Sequence, residues 1–312
     1  MKLKEMLNIE FPIIQGGMAN IATGKFAADV SNAGGLGLIG MGGMNATQLK
    51  KEIEECKKLT DKPFGVNIML LNPDVDNCVK LTIEEGIKIV TTGAGNPAKY
   101  MEDWKKAGII VIPVVPSVAL AKLMEKNGAD AVIAEGTESG GHVGELTTMA
   151  LLPQVCSAVS IPVIAAGGIA SGKQLLASVA LGAIGAQVGT CLLVSEECPI
   201  HDNYKQQVIK AKDTSTIVTG RSVGVPVRVI KNHMAREYVK MEKTITDKME
   251  LEHYTLGSLR KAVFDGDIKM GSLMAGQVAG SLKEIKPVRK ILEEIMDEFN
   301  KSAKEIGANY AN

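Results

Sequence analysis

Short apolar, β-branched runs alternate with amphipathic stretches along the first two-thirds of the chain. The runs are FPIIQ (11–15), LGLIG (36–40), FGVNIM (64–69), IKIVTT (87–92), IIVIPVV (109–115), DAVIAE (130–135), PVIAAGG (162–168) and GAQVGT (185–190). Each is short and rich in Val and Ile, which predicts a strand. Between them lie segments such as NATQLKKEIEECKKL (45–59), NPAKYMEDWKKAG (96–108) and SVALAKLMEKNG (117–128). Their apolar residues recur at three- and four-residue spacing, and some end in Gly, which predicts helices. NAT and NPA supply cap-like starts.

Eight strands with intervening helices by residue 190 predict a closed (β/α)8 barrel, a TIM barrel of the α/β class. An open doubly wound sheet is the alternative. It calls for GxGxxG after the first strand, and QGGMAN is a different pattern. Past residue 195 the rhythm breaks into mixed helix and turn signals. The expected organisation is therefore a barrel over 1–199 and a small, mostly helical lid over the barrel mouth at 200–270. Residues 271–312 follow as a return segment, SLMAGQVAG (272–280), and an amphipathic closing helix, KPVRKILEEIMDEFNKSAKEI, with Pro near its start.

Composition agrees with that class. Hydrophobic residues make up 46%, Gly numbers 33 and aromatics are 4%, a mix suited to tight turns and backbone-lined sites. Lys plus Arg and Asp plus Glu are 35 each, and no basic stretch stands out as a nucleic-acid footprint. The five cysteines are scattered without a CxxC pair, which argues against a disulfide framework or a zinc site. The N-terminus carries interspersed Glu and Lys, unlike a signal peptide. No apolar span approaches the ~20 residues of a membrane helix. The expectation is a soluble, cytoplasmic protein that binds neither nucleic acid nor membrane.

Active sites of this barrel lie at the C-terminal ends of the strands, and loops after strands seven and eight often hold phosphate. Strand seven ends in Gly167 and Gly168; strand eight ends in Gln187, Val188, Gly189 and Thr190. Glycines there let backbone N–H groups approach an anion; the competing reading is that they only make tight turns. Strand one ends in Gln15, Gly16, Gly17 and Met18, strand three near Asn67 and strand six at Glu135. Asn and Gln offer paired donors and acceptors to the edge of a planar heterocycle, although Asn67 alone also suits a turn. His142 follows Gly140 and Gly141 on the loop leaving strand six. A lone His is commonly structural, but a glycine-cleared loop beside the phosphate loops makes this one a candidate for proton transfer. His201, His233 and His253 sit in mouth-lining or surface contexts, and Cys191, followed by LLV, reads as a packed core thiol.

Taken together, PIIQGGMA, GVNIML, ESGGHVGELTTM, IPVIAAGGI, QVGT, TGRSVGVPVR and MAGQVAG resemble the superfamily of FMN-dependent nitronate monooxygenases and FabK-type enoyl-acyl-carrier-protein reductases. Within it, EGTESGGHVGELTTM and HDNYK look most like the FabK type. The resemblance implies FMN contacts at Gly16, Gly17, Met18, Asn67, Glu135, Gly140, Gly168 and Gln187 through Thr190, with His142 catalytic and no metal. Position 135 is Glu where many nitronate monooxygenases have Gln. The implied activity is reduction of a trans-2-enoyl thioester on acyl carrier protein by NADH or NADPH through FMN. Nitronate oxidation by O2 is the runner-up, and a flavin- or phosphate-binding module without turnover is a third reading. The family also implies a homodimer and activation by monovalent cations.

Overall fold

The computed structural model describes residues 2–245 and 247–310, with the side chain of Tyr310 left aside. Met1, Thr246, Ala311 and Asn312, which fall within the expected segments, lie outside the described residues. Among the described residues eleven strands are present: β1 (Ile13–Gln15), β2 (Gly37–Gly40), β3 (Phe64–Met69), β4 (Ile89–Gly93), β5 (Ile110–Val115), β6 (Val132–Glu135), β7 (Gly141–His142), β8 (Val163–Ala166), β9 (Ala186–Val188), β10 (Thr216–Thr219) and β11 (Val227–Ile230). Eight of them form one parallel sheet in the order β1-β9-β8-β6-β5-β4-β3-β2. A parallel bridge from Ile14 to Leu36 closes the ring, with Gln15 N donating to Leu36 O at 2.9 Å and Leu36 N to Ile13 O at 2.9 Å. The sheet is thus a (β/α)8 barrel, as the alternating pattern predicts.

Local chemistry explains where the helices begin. Asn45 and Gln48 form a reciprocal capping box at the start of Ala46–Leu59. Ser117 caps Val118–Lys126 and Ser171 caps Gly172–Ala180 through their side chains. Inside the ring, Ile14, Leu38, Ile89, Ile112, Ile133 and Ile164 pack into one apolar cluster. Leu3 and Leu7 of the N-terminal helix Leu3–Leu7 join that cluster, so this helix plugs the end of the barrel opposite the mouth. A larger cluster, including Phe26, Trp104 and Leu292, fills the layer between strands and outer helices.

Beyond the barrel, helices Asp202–Ile209, His233–Met241, Lys248–Thr255 and Ser258–Phe264 supply the expected helical content. The region also contains a feature the sequence reading lacks. Strands β10 and β11 form an antiparallel ribbon, and β7, from the loop after β6, adds to it in the order β10-β11-β7. The HDNYK segment anchors this region to the barrel: Tyr204 Oη donates to Met274 O at 2.6 Å, and the buried Lys205 Nζ donates to Ser195 O at 2.8 Å. The helix Val288–Tyr310 packs back on Gly172–Ala180, where Glu298 Oε2 accepts from Gly172 N at 2.7 Å. Among the described residues no helix is long and apolar enough to cross a membrane.

Candidate active site at the barrel mouth

Five buried side-chain polar atoms lack a hydrogen-bond partner among the described residues: Gln15 Nε2, Thr92 Oγ1, Thr137 Oγ1, Ser139 Oγ and Gln187 Oε1. Every one sits at the C-terminal end of a barrel strand or on the loop after β6. A buried polar group left unsatisfied costs about 1–3 kcal/mol. Five gathered at one end of the barrel mark a place where a polar ligand supplies the missing partners.

The backbone adds a second set of free groups. The N–H groups of Gly168 and Ile169 after β8, and of Gly189 and Thr190 after β9, donate to no protein acceptor among the described residues. Gly167 (φ +89°) and Gly168 (φ +73°) are both left-handed, which ends the strand and turns successive amides the same way. A cavity of about 580 Å3, bordered by Glu138, Thr148, Gly167, Gly168, Gln174 and Gln277, opens beside the first pair. Free amides lining a cavity suit a phosphate group. The nearby N-terminus of Gly172–Ala180 is excluded, because Glu298 already occupies it.

The residues singled out by sequence fall into three groups. Glu135, Ala166 and Gln187 are register partners across β6, β8 and β9, so Glu135 and Gln187 flank one mouth position. Asn67, at the end of β3, donates through Nδ2 to Thr91 Oγ1 at 2.8 Å and keeps Oδ1 for a ligand. Gly16 N donates to Val188 O at 2.8 Å, tying the turn after β1 to β9; Met18 and Gly189 face each other in that junction. These residues come together. Val188 does not join them: its side chain is in the core and its carbonyl is taken by Gly16.

Gly140 and Gly168 need glycine for reasons other than ligand approach. A Cβ on Gly140 would meet the backbone of Ala275 at 2.7 Å and Gly276 N at 2.8 Å. A Cβ on Gly168 would meet Glu138 Cβ at 3.1 Å. The return segment holds this position through Gly276 N to Thr190 Oγ1 at 2.9 Å and Gln277 N to Glu138 O at 2.9 Å. It therefore locks the β6 loop to the β9 loop.

His142 lies on β7, opposite Val227 of β11. Its ring is reachable by solvent, and partial loss of surrounding water lowers its pKa below the usual imidazole value. No neighbouring charge contributes to that shift; it favours the neutral ring, which donates a hydrogen bond from one nitrogen and accepts a proton at the other. The Glu135 carboxyl is enclosed by protein, which raises its pKa to about 7. The Ser139 hydroxyl opposes that shift without reaching hydrogen-bond geometry. His201 caps Asp202–Ile209 by accepting from Asn203 N; His233 and His253 are exposed. Burial pushes the Cys191 thiol up to about 12, as befits a core thiol.

Sequence reasoning missed Thr92, Ser139 and Arg228. Thr92 carries no motif signal, and Ser139 stands inside ESGGHVGELTTM, where the glycines and the histidine beside it draw the reading instead. Arg228 stands in PVRVI, an alternating strand pattern that would have placed it on a sheet.

The chain matches the sequence profile of the nitronate monooxygenase family over residues 1–298. A probable nitronate monooxygenase of Staphylococcus aureus is 34% identical, the match covering 96% of this chain and 97% of that one. A Mycobacterium tuberculosis protein named (3aS,4S,5R,7aS)-5-hydroxy-7a-methyl-1-oxo-octahydro-1H-indene-4-carboxyl-CoA dehydrogenase is 32% identical over 94% of each. Among solved structures, FabK from Thermotoga maritima superposes with a TM-score of 0.96 at 49% identity, covering 98% of both chains. A nitroalkane oxidase from Streptomyces ansochromogenes gives 0.87 at 27% identity, covering 97% of this chain and 99% of that one.

Proposed function

This chain belongs to the nitronate monooxygenase family, and from that premise we propose that it is an FMN-dependent reductase of trans-2-enoyl thioesters carried on acyl carrier protein. The observation that carries this reading is the full-length match to FabK at 49% identity, against 27% for the nitroalkane oxidase. The Mycobacterium relative, named for a carboxyl-CoA substrate, is a second thioester-linked member.

The residues present suit FMN. The free amides of Gly168, Ile169, Gly189 and Thr190 would hold its phosphate, while Gln15, Asn67, Glu135 and Gln187 would meet the polar edge of its ring. When bound, FMN supplies hydride transfer between NADH or NADPH and the substrate β-carbon. The protein's own work lies in orientation and charge. Reduction develops negative charge on the thioester oxygen and requires a proton at the α-carbon. His142, on the loop after β6, would donate a hydrogen bond to that oxygen or relay that proton. Glu135, protonated up to about pH 7, can present a donor where a Gln would present an amide. The β7-β11-β10 sheet and the helices beside it would cover the acyl chain and exclude water. A homodimer and a stimulating monovalent cation belong to this reading as well.

Nitronate oxidation is the second reading, favoured by the family profile and the Staphylococcus relatives. There His142 would serve as the base, taking the α-proton only from a neutral nitroalkane, since a nitronate has already lost it. Purified protein loaded with FMN distinguishes the two when offered NADH or NADPH with a crotonyl thioester, or propyl nitronate in air. Thioester reduction well above nitronate oxidation is expected; the reverse ratio would overturn the proposal. Protein that binds FMN but turns over neither substrate would leave only a binding module.

A further inference from the structure

Arg228 is 6% exposed, and among the described residues no carboxylate lies within ion-pair distance of it. Its guanidinium serves neutral oxygens instead. Nε and Nη2 both donate to Thr137 O, at 3.1 and 3.0 Å, and Nη1 donates to Thr216 Oγ1 at 3.1 Å. The same residue pairs through its backbone with Gly141, next to His142. Arg228 therefore holds the β6 loop at two points: by its side chain where the loop leaves the barrel, and by its backbone where the loop becomes β7.

The surrounding contacts show how far the loop depends on this ribbon. His142 is the register partner of Val227, and Val143 N donates to Pro226 O at 3.1 Å. Thr137 N donates to Leu146 O at 2.8 Å, closing the loop at its base. Arg221 meets Glu145 at 2.6 Å, but both side chains are largely exposed, and such a pair contributes little. The buried fork on Thr137 O is the rigid one, because a planar guanidinium fixes two directions with a single group.

We propose that Arg228 is a positioning residue for His142, fixing the imidazole's place by fastening the β6 loop to the β10–β11 ribbon. The catalytic consequence rests on the thioester-reductase reading; the positional one does not. A buried charge is expensive to retain where an apolar residue would pack, and here it buys a fixed loop geometry.

The test uses FMN-loaded full-length protein with Arg228→Met, Arg228→Lys and each combined with His142→Ala. FMN affinity should stay within about threefold of wild type, because Arg228 is absent from the proposed cofactor contacts. The His142 resonance, one of four histidines, should shift and titrate at a different pH in Arg228→Met. Reoxidation of reduced protein by crotonyl thioester should fall about tenfold or more, and Arg228→Met should add little further loss to His142→Ala, since coupled residues are non-additive. Arg228→Lys, which keeps the charge without the fork, should fall between. An unchanged His142 resonance, or losses that simply multiply with His142→Ala, would overturn the proposal. If wild type reduces no thioester, the functional reading fails by itself, and the His142 resonance still decides the positional claim. If Arg228→Met does not fold, Arg228→Lys and Thr216→Val carry the same measurements.

Discussion

Gly17 and Asn67 cannot both keep their places if Gly17 gains a side chain. A Cβ on Gly17 would lie 2.5 Å from Asn67 Cβ and Oδ1. Asn67 is pinned from the other side by its hydrogen bond to Thr91 Oγ1 at 2.8 Å. The turn after β1 is therefore shaped around the amide at the end of β3, and Gly17 acts on the site through Asn67.

Gly16 gives the control. Its added Cβ would meet Val188 O at 3.5 Å, an ordinary contact. Gly17→Ala should weaken FMN binding by roughly tenfold or more, the loss of about one charge-free hydrogen bond plus its geometry. Gly16→Ala should stay near wild type. Fluorescence titration of FMN into apoprotein measures both, and equal effects would show that Asn67 does not contact the cofactor.

The barrel was legible because parallel strands buried on both faces read as apolar runs, and each boundary lies within three residues of the run that predicts it. β7 was hidden for the opposite reason. Gly141–His142 is two residues long, and its partner β11 lies more than eighty residues later in the chain. No local pattern announces such a pairing. The same distance hid Arg228, whose importance depends on Thr137 O. Gly140 reads in sequence as a close-approach position for FMN, but its crowding neighbour is the return segment at Ala275, again remote in sequence.

Gly140→Ala should consequently cost stability before it costs cofactor. The clash is with backbone at 2.7 Å, which cannot rotate away, and overpacking of this kind costs about 1–3 kcal/mol. A lowered midpoint in thermal unfolding, together with faster proteolysis near residues 272–280, is the expected outcome. Unchanged stability with reduced FMN affinity would instead assign Gly140 to cofactor approach.

Glu135 makes stability depend on pH. Burial raises its folded pKa from 4.5 to about 7, so the native state keeps a proton that the unfolded state releases between those values. Stability contributed by the neutral acid is full below about pH 4.5 and is lost as pH rises to about 7, then stays level. His142, with its lowered pKa, acts in the other sense: its contribution is lost as pH falls below the usual imidazole value. Comparing Glu135→Gln with wild type isolates the carboxyl. The variant should gain stability over wild type as pH rises from about 5 to about 8, in apoprotein as well as FMN-loaded protein. A difference that does not vary with pH would place the carboxyl in solvent.

His142→Ala tests the centre of the functional proposal. The side chain is solvent-reachable and packs no core, so fold and FMN content should be retained. Bleaching of the bound flavin by NADH should continue near the wild-type rate, because that half-reaction needs only nicotinamide and flavin in contact. Reoxidation by crotonyl thioester should slow by roughly 10²- to 10⁴-fold, the range for losing a positioned acid or base. Because loss of surrounding water lowers the imidazole pKa, the wild-type rate should change only as pH falls below the usual imidazole value, where the ring gains its proton. Stopped-flow traces of the two half-reactions across pH separate the outcomes. Wild-type reoxidation in the variant would make the histidine structural. A collapse of NADH-driven bleaching with FMN still bound would move its role to the nicotinamide step.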